Sequence, residues 1–196
     1  MFLINNGTPK ITVFLSQGAN STSNFAASSS EISLNTWYHY ALVKDGPKSF
    51  KFYINGALIS ADNTLGLPTG INVNQNPVMG SDFYPSPTSR TSYFNGQLDE
   101  FRLWKEARSL AEIQDNINTK MTGSENNLDV YYSFDQGVAG GNNSVISSVL
   151  DGAGTAHATM NGFAKSGSSS NFVANDRGDI KVPPTLTLTA TTKVYG

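Results

Sequence analysis

Alternation of apolar and polar positions runs through most of the chain and predicts β-strands with one buried face. In residues 50–54 (FKFYI) a large apolar side chain occupies every second position, and Asn55-Gly56 follows directly. The apolar pattern resumes in residues 57–60. Both central residues of a two-residue hairpin turn need a positive φ, which Asn and Gly tolerate. The segment therefore predicts a β-hairpin.

Similar short apolar segments, separated by turn residues, predict further strands along the chain. The predicted strands are residues 11–15, 32–34, 37–43, 98–104, 128–134, 156–163 and 171–174, with shorter ones at 71–73 and 77–80. Residues 16–30 are rich in Ser and Asn and predict a loop with one weak strand. The pattern as a whole predicts an all-β domain.

One segment has helical features and predicts a short helix near residues 110–120. Ser109 and Glu112 have the spacing of a capping box, in which each side chain binds a backbone N–H of the first turn. Ile113 and Ile117 fall on one face, and Gly123 suits a stop after the helix.

Composition narrows the class of partner. Charged residues make up 14% of the chain and hydrophobic ones 38%, so uncharged side chains and 18 Gly supply the polarity, as in many short strands joined by turns. A net charge of -2 argues against a nucleic-acid partner. No apolar run approaches the length of a membrane span, so no membrane insertion is expected. The absence of Cys excludes disulfides and thiolate chemistry.

The residue composition of the sequence changes after residue 175, which predicts a domain boundary. Arg177-Gly178-Asp179 and Pro183-Pro184 suggest a linker over residues 176–184. Alternation begins again at residue 185, so residues 185–196 are predicted to start a following β-rich module. The expected partners therefore include neighbouring domains of the same polypeptide.

Four motifs, in this order, carry a resemblance to a known family. They are residues 35–46 (NTWYHYALVKDG), 52–56 (FYING), 94–104 (FNGQLDEFRLW) followed by Glu112-Ile113, and 128–134 (LDVYYSF) with the Gly/Asn-rich stretch and residues 171–173 (NFV) after it. Over residues 1–175 the chain resembles the laminin-G-like jelly-roll domains (concanavalin A-type lectins and glucanases, pentraxin-like) of bacterial secreted or surface multidomain proteins. The resemblance implies a two-sheet antiparallel jelly-roll sandwich. Family members usually begin with strands ahead of the segment that starts here at Met1, so the domain is expected to lack its first strands.

Asp99 is the strongest single polar candidate. In a regular strand it shares a face with Phe101 and Leu103, so it is predicted to point inward, where an unpaired carboxylate is costly. It must then accept hydrogen bonds from backbone N–H groups or bind a cation. Related domains often hold a structural Ca²⁺ at the rim, so the resemblance implies Asp99 as a metal ligand. Glu100 and Arg102 are predicted to form a surface pair on the other face, worth under about 1 kcal/mol.

The loop over residues 82–93 has the side-chain chemistry of a glycan site, namely aromatic faces beside charged groups. Asp82, Tyr84, Arg90 and Tyr93 are the predicted ligand-binding residues, and the alternative is a structural loop with partly buried aromatic side chains. His39 is predicted to pack in the core with Trp37 and to have its imidazole hydrogen-bonded. A zinc site based on His39 and His157 is not expected.

No catalytic residues are predicted, and the chain is not expected to be an enzyme. Jelly-roll glycosidases need two suitably spaced carboxylates, but Asp99 and Glu100 are adjacent and point to opposite faces. No Ser lies in a nucleophile elbow. The resemblance implies a non-catalytic carbohydrate-binding or adhesion module at the cell surface or outside the cell, with a glycan or a cell-surface protein as its partner. The alternative is a structural spacer or protein-interaction domain without a small ligand, and a glycoside hydrolase is the less favoured reading.

Overall fold

The computed structural model describes residues 2–4, 10–16, 24–28, 31–62, 78–86, 89–91, 93–167, 171–174 and 177–182. These residues form mostly antiparallel strands and one short helix. In chain order the elements are β1 (Phe2–Ile4), β2 (Ile11–Ser16), β3 (Asn24–Ser28), β4 (Tyr40–Lys44), β5 (Phe50–Ile54), β6 (Ala57–Asp62), β7 (Asp82–Ser86), β8 (Ser89–Thr91), β9 (Phe101–Trp104), α1 (Leu110–Asn116), β10 (Leu128–Tyr132), β11 (Ser148–Val149) and β12 (Ala158–Thr159). The all-β prediction with one short helix is confirmed.

Hydrogen-bonded strands form five ladders within the described residues. Two of them have three strands, β1-β2-β3 and β4-β5-β6, and the others are the pairs β7-β8, β9-β10 and β11-β12. Every pairing is antiparallel. The assembly of these ladders into a two-sheet jelly roll stays a prediction.

The hairpin at Asn55-Gly56 is confirmed. Ile54 pairs with Ala57 across the turn, and Asn55 and Gly56 have φ values of 49° and 75°. Both values lie in the left-handed region that a two-residue turn of this type requires. The turn therefore sets the register of β5 against β6.

Strand β5 is covered on both faces and forms the centre of the core. On one face Phe50, Phe52 and Ile54 pack with Ile11 and Ile32. On the other face Tyr53 packs with Val43 of β4 and Ile113 of α1. A strand between two packed layers buries nearly all its side chains, which explains why Phe52 has no exposed surface.

Helix α1 begins with the predicted capping box. The Ser109 hydroxyl accepts a hydrogen bond from the Glu112 N–H at 3.3 Å, and the Glu112 carboxylate accepts from the Ser109 N–H at 2.8 Å. The helix ends at Asn116, earlier than predicted, with Ile117 as its C-cap. Gly123, the predicted stop, lies in the following loop with φ of 89°.

A buried carboxylate connects the loop after β11 to strand β10. Oδ1 of Asp151 accepts hydrogen bonds from the backbone N–H groups of Tyr131 and Ala153, each at 2.9 Å, and Oδ2 accepts from that of Ala156 at 3.0 Å. Burial alone would raise the pKa of Asp151, but these backbone donors outweigh it and lower the pKa below its usual value. The loop is therefore held to the sheet by an ionised side chain.

Several predicted strands are shorter in the structure or absent. Strand β4 begins at Tyr40 rather than at residue 37, and the predicted strand at 156–163 is reduced to β12. Residues 78–80 and 171–174 are irregular, so the strands predicted there are wrong for those residues. The loop predicted at 16–30 contains β3, the expected weak strand. The segments predicted as strands at 71–73 and 185–189 lie outside the described residues.

The predicted inward-facing strand over residues 98–104 begins only at Phe101. Glu100 has φ of 54°, which interrupts the extended backbone. The side chains that follow it therefore point to the faces opposite to those that regular alternation predicts. As a result Leu103 is 49% exposed, whereas the side chains of Glu100 and Arg102 are each only 9% exposed. The prediction of a surface ion pair was therefore wrong, because alternation was assumed to continue through Glu100.

Candidate functional site

A pocket of about 330 Å³ opens between the residues that precede β4 and the segment 177–182, which we call the C-terminal strap. The lining residues are Thr36, Trp37, Tyr38, Asn55, Arg177, Asp179, Ile180 and Lys181. The lining thus combines two aromatic side chains, from the residues before β4, with three charged ones from the strap. We call this site the Trp37 pocket.

The aromatic side of the pocket is anchored in the core. Tyr38 packs against the cluster around Phe52, and its hydroxyl accepts a hydrogen bond from the Ser33 N–H at 2.9 Å. Trp37 and Tyr38 are both half-buried, so each ring keeps part of its surface accessible. Half-buried rings of this kind provide a rigid apolar face beside polar groups.

Asn55 supplies a pre-oriented amide to the same pocket. Its Oδ1 accepts a hydrogen bond from the His39 N–H at 2.8 Å, and its own N–H donates to the His39 carbonyl at 2.7 Å. The first bond identifies which side-chain atom is oxygen, so the Asn55 NH₂ group points away from the His39 N–H. The hairpin turn is held in place from its far side, because Nε2 of Gln114 donates to the Gly56 carbonyl at 3.0 Å.

The charged side of the pocket comes from the strap, which is packed against the domain. Arg177 donates to the Ile117 carbonyl at 3.3 Å, and its Nε lies 3.5 Å from Oδ2 of Asp99. Ile180 is buried, and its backbone makes two hydrogen bonds to the side chain of Asn118. Residues 177–182 belong to the predicted linker, yet they contact the end of α1 directly. The position of the domain boundary stays a prediction.

Behind the pocket lies a buried cluster of charges. Arg102 donates to Glu100 at 2.6 Å, to the Asn116 carbonyl at 2.7 Å and to the Thr119 carbonyl. The hydroxyl of Tyr131 donates to the other oxygen of Glu100 at 2.8 Å. Burial raises the pKa of Tyr131, and the Glu100 carboxylate raises it further. Arg102 and Arg177 together satisfy carbonyls at the end of α1, where positive charge is favourable.

Asp99 does point inward, as predicted, and its partners are now defined. Oδ1 accepts a hydrogen bond from the Glu100 N–H at 3.0 Å, and Oδ2 faces the Arg177 guanidinium. Burial and the neighbouring Glu100 carboxylate raise the pKa of Asp99, against the lowering effect of Arg177. A buried carboxylate was expected to bind either a backbone donor or a cation. Asp99 has both, and its cation is the Arg177 guanidinium.

The described residues do not by themselves form a calcium site at Asp99. Calcium takes about six to eight oxygen ligands, and the described residues contain no group of three or more His, Cys, Asp or Glu side chains that could hold a metal ion. The Arg177 guanidinium also lies against the carboxylate. The calcium prediction stays a prediction.

His39 is half-buried, and only part of the prediction for it holds. Burial, together with the nearby positive charges of Arg102 and Arg177, lowers its pKa to about 4, so the ring is neutral at pH 7. Its Nδ1 atom is buried and, within the described part of the chain, has no hydrogen-bond partner. The ring nitrogen is therefore shielded from water, but His39 belongs to none of the hydrophobic clusters described, and the expectation of a fully hydrogen-bonded imidazole was wrong.

The predicted ligand-binding residues lie on a different element from the Trp37 pocket. Asp82 and Tyr84 belong to β7 and Arg90 to β8, and Asp82 pairs with Thr91 across this hairpin. The side chains of these three residues lie outside the described part of the structure. Tyr93 follows the hairpin and is 73% exposed. Tyr93 is not among the described residues that line the Trp37 pocket, and the role of all four residues in binding stays a prediction.

The sequence alone does not predict the Trp37 pocket. It predicts a core position for Trp37, a turn at Asn55, and a linker that includes Asp179 and Lys181. The one available signal was the short distance in sequence between two aromatic residues and a hairpin that must return beside them. No signal near residue 177 indicates that the strap packs against residues about sixty positions earlier.

Comparison with known proteins identifies the family. The sequence model of the concanavalin A-like lectin/glucanases superfamily, in its Laminin_G_3 form, matches residues 1–114, which is more than half of the chain. The chain therefore belongs to this superfamily. Among curated proteins no match was found.

Two solved structures are similar to the chain. One is a candidate carbohydrate-binding protein from Bacteroides ovatus ATCC 8483, with 23% identity and a TM-score of 0.55 over 80% of this chain and 42% of that one. The other is an S-layer domain-containing protein (residues 221–444) from Clostridium thermocellum ATCC 27405, with 26% identity and a TM-score of 0.32 over 55% of this chain and 51% of that one. The first likeness supports the fold. The chain spans less than half of the Bacteroides protein.

In the part of the chain that the structure describes, no helix has the length and apolar character needed to cross a bilayer.

Proposed function

We propose that this domain is a non-catalytic carbohydrate-binding module of a secreted or cell-surface protein, and that the Trp37 pocket holds the glycan. The observation that carries the proposal is the composition of the pocket. Its lining combines half-buried aromatic residues, charged residues of the strap and the side-chain amide of Asn55, whose oxygen is held by the His39 N–H. Sugars present apolar ring faces flanked by hydroxyl groups, and such sites bind them through stacking and directed hydrogen bonds. The superfamily of the chain, with its lectins, supports the same reading.

The charges around the pocket favour binding over catalysis. Hydrolysis of a glycosidic bond uses two carboxylates placed about 5–9.5 Å apart on either side of it. Asp179 is the single carboxylate among the lining residues described. Asp99 lies behind the pocket wall and is paired with Arg177. An adhesive role at the cell surface, through a glycan on another cell or on a neighbouring protein, is the corresponding biological setting.

A glycan array on the full chain tests the proposal, in buffer with Ca²⁺ and again with a chelator. Asn55→Asp is the informative variant, because Asp keeps the acceptor for the His39 N–H and tolerates the turn, but lacks the NH₂ donors. We expect about tenfold weaker binding from Asn55→Asp, the equivalent of one good hydrogen bond. Asn126→Asp is the matched control, since Asn126 is exposed and distant in sequence from the pocket residues.

Outcomes of the array separate the candidates. Loss of binding in Tyr84→Ala or Arg90→Ala, with Asn55→Asp unaffected, would move the glycan site from the pocket to the β7-β8 hairpin. Loss of signal in chelator would support a calcium-dependent site. Absence of binding to every glycan at high protein concentration would overturn the proposal and favour a structural spacer.

A further inference from the structure

One residue holds the strap to the domain without lining the pocket. Asn118 donates from Nδ2 to the Ile180 carbonyl at 3.0 Å and accepts at Oδ1 from the Ile180 N–H at 2.8 Å. The amide side chain thus pairs with a peptide group as a neighbouring strand would. Asn118 is not among the residues that line the Trp37 pocket.

The segment held in this way supplies one wall of the pocket. Arg177, Asp179, Ile180 and Lys181 all belong to it. Of the remaining lining residues, Tyr38 packs against the core and Asn55 is held by the hairpin turn and the His39 N–H. The shape of the pocket therefore depends on whether the strap is docked.

We propose that Asn118 is a positioning residue that keeps the strap docked and thereby completes the glycan pocket. The inference rests on the proposed function of that pocket. A glycan that contacts both walls binds the docked form better than the undocked form, so it stabilises docking. The apparent affinity for the glycan is then proportional to the fraction of molecules whose strap is docked, so a change that lowers this fraction weakens binding in proportion.

Strap docking has a second anchor, which makes the proposal testable without removing the segment. Arg177 contacts the Ile117 carbonyl and Asp99, so the strap keeps one attachment when Asn118 is changed. Loss of the Asn118 hydrogen bonds then shifts the docking equilibrium while the core around β5 is left intact. We expect Asn118→Ala to weaken glycan binding about five- to tenfold, within the usual range of coupling between sites. Asn118→Asp keeps the acceptor for the Ile180 N–H but places a carboxylate oxygen against the Ile180 carbonyl, so it should weaken binding at least as much as Asn118→Ala.

The experiment uses the full chain and a printed array of neutral and acidic oligosaccharides, followed by titration of the oligosaccharide that binds most strongly. Asn126→Ala is the matched control, because Asn126 is also exposed and is not among the residues that line the pocket. Hydrogen exchange of the Ile180 amide is measured in parallel, since this N–H reports the docked state directly. The Phe52 amide, in the buried strand β5, reports global unfolding.

The proposal predicts that the oligosaccharide slows exchange at Ile180 in the native chain, and that Asn118→Ala speeds it while Phe52 exchange stays unchanged. Equal affinity of Asn118→Ala and the native chain would overturn the role of Asn118 and leave the glycan site standing. Faster exchange at both Ile180 and Phe52 would show general destabilisation and would equally reject it. Absence of glycan binding by the native chain would refute the proposed function, and the strap proposal with it.

Discussion

Asp151 offers the sharpest test of how the fold is stabilised. Its carboxylate is 7% exposed and accepts three backbone hydrogen bonds at 2.9–3.0 Å, which hold the loop after β11 to strand β10. Asp151→Asn keeps one oxygen acceptor but places an NH₂ group against backbone donors. Hydrogen bonds to a charged group contribute about 1.5–3 kcal/mol each, and a buried donor left unpaired costs a similar amount.

We therefore expect Asp151→Asn to reduce the free energy of unfolding by roughly 3–4 kcal/mol, since one to two of the three bonds are lost. For a chain of this size the corresponding fall in Tm is roughly 6–16 °C. Urea unfolding at pH 7, followed by circular dichroism, measures the first quantity. Asp129→Asn is the matched control, because Asp129 pairs with Lys105 through side chains that are 42% and 63% exposed. Such a surface pair is worth under about 1 kcal/mol.

The loss of folding stability at acid pH provides an independent check on Asp151. The folded state lowers the pKa of this carboxyl, so its contribution is complete above the unfolded pKa of about 3.9 and is lost as the pH falls through the folded pKa. The native chain should lose stability below about pH 4 more steeply than Asp151→Asn does. A loss of less than about 1 kcal/mol at pH 7, with an unchanged m value, would refute the assigned role.

Three further predictions concern the helix, the buried ion pair and the buried imidazole. Ser109→Ala removes an N-cap acceptor and should cost about 1 kcal/mol in urea unfolding, whereas Ser124→Ala, in an exposed loop, should cost less. Glu100→Gln leaves Arg102 buried without its counter-ion and should destabilise the chain by about 3–5 kcal/mol, and a change below about 1 kcal/mol would contradict burial of the pair. His39 has a folded-state pKa of about 4, lower than in the unfolded chain, so the unfolded state binds more protons between these values. The free energy of unfolding should consequently fall as the pH drops from about 6.5 to 4. In His39→Gln the urea midpoint should depend less on pH over that range.

Features encoded by neighbouring residues were predicted from the sequence. The Asn55-Gly56 turn and the Ser109–Glu112 capping box each depend on residues at most three positions apart, so their chemistry is visible in the sequence. Alternation also located strands β5 and β10 to within about two residues at each end. The membership of the superfamily followed from the order of such local motifs.

Features that depend on distant partners were not predicted. Glu100 takes a positive φ and turns inward toward Arg102 and Tyr131, and Tyr131 lies 31 positions away. The strap docks on Asn118 across 62 positions. Long-range polar contacts have no periodicity, so the charged wall of the pocket was assigned to a linker. The predicted glycan site was placed instead on the loop with the most obvious aromatic and charged residues.

The two arginines at the end of α1 bear on the order in which the chain assembles. The helix has seven residues, too few to persist alone in water. Its last carbonyls are satisfied by Arg102, from the preceding strand, and by Arg177, which lies 60 positions beyond Ile117. During synthesis on the ribosome the helix therefore stays incompletely capped until residue 177 has emerged from the exit tunnel.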